Sequence, residues 1–479
     1  MLMNDASRWS DLFSGKNAVF AFALSAGVAL HAINIYIVTT ILPSVVLDIG
    51  GLNLYAWNTT LFVTTSILGS ALSARLLSRY GPRAAYSLAA SAFMLGSLLC
   101  AIAPTMPMML VGRAVQGLGG GFLFALSYAM INLVFQQSLW PRAMALISGM
   151  WGVATLIGPA IGGVFAEMGA WRLAFWLLLP ATLLFAIFTW RILPVGTKRT
   201  KPSSSLPIIQ LILLTTIVLT VSASSIATDL RYSAIGITVA TLLLTLMIRI
   251  ERRSAIRLLP QGALRLGSPL AALYITMSLL ALGITSDIFV PYFLQTLHGQ
   301  SPLVSGYLAA TMAAGWTVAE VLSSGWKKNG IRLAIISGPI IVLLGLTALA
   351  ILLPQKSIGD WLTLAPIALA LTLVGFGTGF GWPHLLTRIL QVAADEDKDI
   401  AGASITTVQM FATALGAALA GLVANISGLN DPGGVAGAAS TAHWLFALFA
   451  IAPLLAIFTA IRCAAIRQPI ATLTTSELH

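Results

Sequence analysis

Runs of 20 or more apolar residues follow one another from about residue 17 to residue 467, separated by short polar turns. Each run is long enough to cross a hydrocarbon core roughly 30 Å thick at about 1.5 Å of rise per residue. With 58% of its 479 residues hydrophobic and 9% charged, against about 25% charged in an ordinary soluble domain, the chain cannot build a water-facing shell. The expected fold class is an all-α polytopic membrane protein. The first run is too long for a signal-peptide core and no small-residue cleavage site follows it, so it is expected to remain as a span.

Fourteen spans are expected, at about 18–47, 56–77, 83–103, 107–135, 142–166, 172–194, 206–226, 231–250, 268–296, 302–325, 331–353, 361–388, 400–426 and 441–466. An even number places both termini on one side. Under that arrangement 22 of the 26 Lys and Arg fall in turns on the side of the termini, three lie opposite (Arg172, Arg231, Lys356), and Arg113 lies within a span. This is the positive-inside pattern. Adding or deleting one span in the middle would invert every later turn and destroy the asymmetry. The pattern predicts cytoplasmic termini in a bacterial cytoplasmic membrane, and it accounts for the net charge of +11 through the lipid bilayer, without a nucleic-acid partner.

Two longer basic connections, PVGTKRTKPSSSLP (194–207) and ERRSAIRLLPQGALRLG (251–267), bracket two of the spans. The second has apolar residues expected to rest at the membrane interface. The chain therefore divides as 6+2+6: an amino-terminal six-helix bundle (1–195), basic linkers flanking two extra helices (196–267), a carboxy-terminal six-helix bundle (268–467) and a cytoplasmic tail (468–479). The two bundles look related. ARLLSRYGPR (74–83) and SSGWKKNGIR (323–332) place Gly, one variable residue and Arg at matching turns, QGLGGGF (116–122) resembles VGFGTGF (374–380), and Pro43 and Pro291 sit late in each bundle's first span. Matches in the same order point to parallel, pseudo-symmetric repeats with a site between them.

The glycines at 117, 119, 120 and 121 are not a nucleotide fingerprint, which needs a strand and a βαβ unit; small residues in lipid let helix backbones approach closely. There is no GxxxxGK[ST] loop, so ATP is not the expected energy source. Cys100 and Cys463 are isolated in apolar runs, with neither metal-ligand nor disulfide spacing, and no metal or other cofactor is expected. In the fifth span, GMWGVATLIGPAIGG (149–163), Pro159 removes a backbone donor while Gly158, Gly162 and Gly163 leave one face bare.

Taken together these motifs resemble the major facilitator superfamily, and within it the fourteen-span drug:proton antiporter group. The fourth-span pattern of that group is matched by Arg113, Gln116, Gly117, Gly119 and Gly121, and its GPxxGG pattern by Gly158, Pro159, Gly162 and Gly163. A WRxxF-like start to span six follows at Trp171, Arg172 and Phe175, and LYAWNTTLF (54–62) resembles the group's second-span start around Trp57. Arg79, Gly81 and Arg83 keep part of the motif between spans two and three, with Ser78 where the family has an aspartate. Asn34, in INIYIVTTILP, stands where the first span usually carries an acid. The resemblance implies alternating access, proton coupling and a role for Arg113 in the proton or substrate machinery.

A charge at the centre of a span costs about 2.5–3.5 kcal/mol on insertion scales and usually faces a partner or a watery cavity. Snorkelling or bonding to backbone carbonyls is the plainer account of Arg113. The acids available inside the membrane are Asp287 in span nine and Glu320 in span ten, the second near Lys327 and Lys328. Asp287 lies about two turns before the end of its span, at a depth similar to Asn34, and is the expected proton-linked carboxylate. His31, one turn before Asn34 on about the same face, is a further proton-coupling candidate. Asn34, Tyr36, Gln116, Trp316, Trp382 and His384 are candidates for a substrate cavity, with Trp57 and Asn58 beside them. Trp57, Trp171 and Trp361 also fit interfacial anchors, and ADEDKD (394–399) reads as a solvated cap.

The function these features support is a secondary active transporter that exports small amphipathic compounds by proton antiport, working as a monomer. It is not expected to be an enzyme. A second reading keeps the fold and moves an anionic metabolite or chelate, with import among its options, because Arg113 lacks a local counter-ion. A third, a non-transporting membrane sensor, has no soluble signalling domain behind it.

Overall fold

The structure is a computed structural model and describes residues 8–195, 206–226, 230–327 and 329–465. Most of the connection at 194–207, the tail at 468–479 and Lys328 lie outside the described residues. Among the described residues every regular element is helical. The helices are α1 (Trp9–Leu12), α2 (Gly15–Ile49), α3 (Trp57–Ala101), α4 (Met106–Val134), α5 (Trp140–Glu167), α6 (Arg172–Ile192), α7 (Ile208–Ser224), α8 (Leu230–Arg253), α9 (Pro269–Ile284), α10 (Val290–His298), α11 (Pro302–Ser324), α12 (Asn329–Leu352), α13 (Trp361–Val392), α14 (Lys398–Ile426), α15 (Gly434–Phe449) and α16 (Ile451–Ala464). Eleven helical segments are long and apolar enough to cross a membrane.

Two departures from one helix per expected span have local causes. α3 covers two expected spans and reverses at Gly81, whose φ of 76° and ψ of 171° break the helical path before Pro82. Only glycine takes that positive φ without strain. The ninth expected span is split: α9 stops at Ile284, a 3₁₀ turn runs Thr285–Phe289, and α10 resumes at Val290. Pro291 explains the split, because it cannot donate to the carbonyl of Asp287 and its ring clashes there. The matching Pro43 leaves α2 continuous.

α2 to α6 pack on one another as one set and α9 to α16 as a second, while α7 and α8 pair and lean on α14 and α3. The repeat suspected from sequence recurs in the packing. A Cβ on Gly117 or Gly121 would collide with the backbone of Phe62 or Ser66 on α3, and one on Gly375 or Gly379 with that of Met312 or Trp316 on α11. In each set the glycine-rich helix is thus pressed backbone to backbone against the same relative partner. Ser66 and Ser70 add hydrogen bonds across the first seam, to the carbonyls of Gly117 (2.9 Å) and Gly121 (3.1 Å).

The connection after α8 does not lie loosely at an interface. Glu251 is buried and accepts hydrogen bonds from the backbone N–H groups of Leu258 and Leu259 (both 2.7 Å) and from the Gln210 amide (3.1 Å). Asp397 is equally enclosed. It pairs with Arg257 at 3.1 Å and accepts from the Gln261 N–H at 2.6 Å. Asp397 is therefore a clamp on the 254–268 connection, while Asp395, Glu396, Lys398 and Asp399 of the same run are exposed, as a solvated cap requires. Glu251→Ala would strand two buried amides at about 1–3 kcal/mol each. It is expected to lower the thermal midpoint and to admit protease cleavage between residues 254 and 268; unchanged proteolysis would remove the clamp's importance.

Candidate functional site

The two sets meet at the end away from the basic turns. There α5 lies against α11, with Gly163 packed on the Leu303 backbone and Gly306 against Thr40 and Pro159. The Leu303 N–H donates to Glu167 (3.3 Å) and the Tyr307 hydroxyl to the Leu156 carbonyl (3.1 Å). Tyr55 stacks on Phe289 with centroids 4.8 Å apart, and a Cβ on Gly421 of α14 would meet Ala56. Gly158 and Gly162 do the same work inside the first set, where they lie against Tyr36, Ile37 and Thr40 of α2.

Below this seal Asp287 sits in the 3₁₀ turn, roughly 16 Å of helix rise from the end of α10, and its side chain is partly accessible. It lies within electrostatic reach of the hydroxyl of Tyr36, in the other set. A carboxylate at the helix break and a phenol from the opposite set are thus neighbours at membrane depth. Unwound backbone at membrane depth is tolerated where it lines a cavity, and broken helices recur at transporter sites.

Toward the basic turns a second cluster forms. The Trp316 indole donates to Glu320 (3.1 Å) and packs on Trp382 with centroids 4.9 Å apart. His384 is nearly buried on the same helix as Trp382, with Nε2 unpartnered. Across the cleft, Tyr128 of α4 shares a 3.2 Å hydrogen bond with Ser148 and lies within electrostatic reach of Glu320. No ion pair among the described residues joins Glu320 to Lys327. Its partner among the described residues is the indole.

Arg113 belongs to neither cluster. It is buried between α3 and α4, with Nε donating to the Asn58 carbonyl at 3.2 Å and Nη1 to Gln116, which in turn donates to Ser97 at 2.8 Å. Its guanidinium carbon lies 4.2 Å from the Phe62 ring centroid. His31 packs among Phe62, Phe124 and Trp151, and Asn34 is fully enclosed. The structure therefore brings Tyr36 to Asp287 and Trp316, Trp382 and His384 to Glu320, but holds His31, Asn34, Arg113 and Gln116 inside the first set. Of the turn motif, Arg83 ties α3 to the end of α6 through the Leu193 carbonyl (3.3 Å) and stacks on Trp190, and Arg79 stacks on Tyr80.

Three features escaped the sequence reading. The break at Asp287 had a signal, since Pro291 stands four residues on. Tyr128 had none, because its proximity to Glu320 depends on how the sets meet. Trp171 is no interfacial anchor: its indole donates to Asp48 (3.1 Å), which also pairs with Arg172, and Arg172 reaches the Ala103 carbonyl (3.0 Å). Trp361, by contrast, is exposed as an anchor would be.

Membrane-length helices in two facing sets, sealed at one end above a carboxylate in a broken helix, define a helical membrane transporter. The chain belongs to the Major Facilitator Superfamily, which it matches over residues 24–420. The "Probable multidrug-efflux transporter" of Mycobacterium tuberculosis is 36% identical over 467 residues, covering 95% of this chain and 97% of that one. Multidrug resistance protein 3 of Bacillus subtilis is 22% identical, covering 86% and 81%. Among solved structures, a bacterial homolog of the human lysosomal transporter Spinster, inward-facing and unoccupied, superposes with a TM-score of 0.63 at 12% identity, covering 94% and 97%. The nucleoside transporter NupG gives 0.64 at 11%, covering 93% and 99%. The protein is a membrane-spanning transporter and not an enzyme, and its relatives fit the drug-antiporter group.

Proposed function

We propose that this protein exports small amphipathic compounds across the bacterial cytoplasmic membrane in exchange for protons, by alternating access between its two helix sets. The reading takes fourteen passes: the eleven membrane-length segments among the described residues, one more because residues 52–101 fold back at Gly81, and two for Pro302–Ser324 and the shorter Ile208–Ser224. The 22 basic residues on the side of the termini favour cytoplasmic termini. The seal then lies on the outer side, and the cleft opens inward.

The observation that carries the reading is Asp287, a carboxylate at a helix break within electrostatic reach of Tyr36 of the opposite set. A group there changes its hydration whenever the sets rock, which is the requirement for a proton switch. Trp316 and Trp382, with Glu320 and His384, supply the broad apolar wall with a few polar handles that suits amphipathic cargo. Gly158, Pro159, Gly162 and Gly163 shape the surface on which the sets move. Arg113 positions α3 against α4 from within the first set, so it is not the group that would meet an anionic cargo between the sets.

The test is uptake of a fluorescent amphipathic compound by inverted vesicles. Accumulation is expected when the lumen is acid and to collapse with a protonophore. Equal accumulation without a proton gradient would overturn coupling, and accumulation only in right-side-out vesicles would reverse the direction.

A further inference from the structure

We infer that the amino-terminal helix set holds a small inorganic anion of halide size between α2, α3 and α4, against the guanidinium of Arg113. Arginine stays protonated in proteins, so Arg113 carries a full positive charge although its side chain is only 2% exposed. Its contacts are neutral: the Asn58 carbonyl, the Gln116 amide oxygen and the Phe62 ring. Among the described residues no carboxylate pairs with it. Dipoles and a ring face lessen the cost of burying a cation, but they leave its charge uncompensated.

The side chains around it carry the independent sign of a ligand. Asn34 is 0% exposed and neither end of its amide has a hydrogen-bond partner; the Nδ1 of His31, 2% exposed, also lacks one. Buried polar groups in folded proteins are bonded as a rule, so such a cluster marks an unlocated partner. These groups lie together by helix register. α2 and α4 run antiparallel, Gly27 lies against Leu123 and Ser127, and Gly120 against His31. Continuing that register brings Asn34 level with Gln116 and Gly117, about one turn from Arg113. The Asn34 amide can turn its NH2 inward, since its two ends are chosen by the surrounding bonds.

A cation with adjoining N–H donors selects an anion. The unpartnered side-chain oxygen of Asn58, whose backbone carbonyl accepts from Arg113, is an acceptor and fits a water beside the ion rather than the ion itself. Enclosure decides the size: Asn34, Asn58, Arg113 and Gln116 are all at most 2% exposed, which leaves no room for an organic substituent. Water alone would satisfy the amide but not the charge.

The experiment uses the purified full-length protein in lipid nanodiscs, with chloride exchanged for gluconate at constant ionic strength. Wild type is expected to bind radioactive chloride saturably, near one per chain, and to gain about 2 °C or more in thermal midpoint at saturation. Asn34→Asp supplies a tethered carboxylate, so it is expected to weaken chloride binding at least tenfold while matching, in gluconate, the stability of wild type in chloride. Arg113→Gln is expected to abolish binding. Absence of saturable chloride binding in wild type would overturn the inference even if neither variant folded. Full binding retained by Asn34→Asp would do so as well.

Discussion

Asp287→Asn is expected to reduce proton-driven efflux at least about 100-fold while leaving the folded protein and its affinity for cargo nearly intact. Asparagine preserves the size and polarity of the side chain but releases no proton. The loss should therefore fall on coupling and not on packing. Asp287 sits in a 3₁₀ turn already supported by Thr285, whose hydroxyl bonds to the Ala281 carbonyl at 2.9 Å, and by Ser286, bonded to that of Gly283 at 3.3 Å. Removing its charge leaves those supports in place. Gradient-driven accumulation in inverted vesicles and quenching of tryptophan fluorescence by cargo separate the two effects. If the variant accumulated cargo at more than half the wild-type level, the proton would have to be carried elsewhere, with Glu320 the next carboxylate in the cleft.

The second large effect is expected from Gly163→Leu. Gly163 has no side chain to hold it away from the Leu303 backbone, so an isobutyl group forces α5 and α11 apart at the sealed end. Overpacking of this kind costs roughly 1–3 kcal/mol, which a helix set can absorb, whereas a leaking seal cannot support uphill transport. Efflux should fall to about a tenth or less, the order expected for roughly 1.4 kcal/mol of lost state preference. A cysteine introduced at Ser305 should react with an impermeant thiol reagent from the sealed side in Gly163→Leu and stay protected otherwise. Both native cysteines are buried, so the background is low. Normal efflux with a protected Ser305 position would show that the contact does not gate access.

Much of the helix layout was legible because spans are read from hydropathy, and hydropathy is a local property. α12 at Asn329–Leu352 and α6 at Arg172–Ile192 lie within two residues of the expected 331–353 and 172–194. The glycine repeats were legible for the same reason: Gly117 and Gly375 recur in similar strings and do the same packing. What sequence could not assign was which polar residue meets which across the sets. Asp287 and Tyr36 are 251 residues apart (287 − 36), and only the docked bundles bring them together. Naming Asp287 and Glu320 as the acids available to Arg113 reflects that limit, since depth in the membrane is legible in the sequence and rotation about the helix axis is not. Pro291 shows the opposite case. It was noted as a repeat marker, although its effect on the carbonyl four residues earlier already pointed to the break.

At the sealed rim, one nitrogen of Asn425 on α14 donates to the Asn53 carbonyl (2.9 Å), just before α3, and to the Ser225 carbonyl (2.8 Å), just after α7. Three pieces of chain are therefore bolted together by a single amide: the front bundle, the rear bundle and the inserted hairpin. Any excursion that uncovers the far face of the membrane must undo that bolt. If the sets rock as proposed, the two additional helices are tied to that movement through this amide, and a compound wedged into the joint is expected to slow transport without touching the cargo.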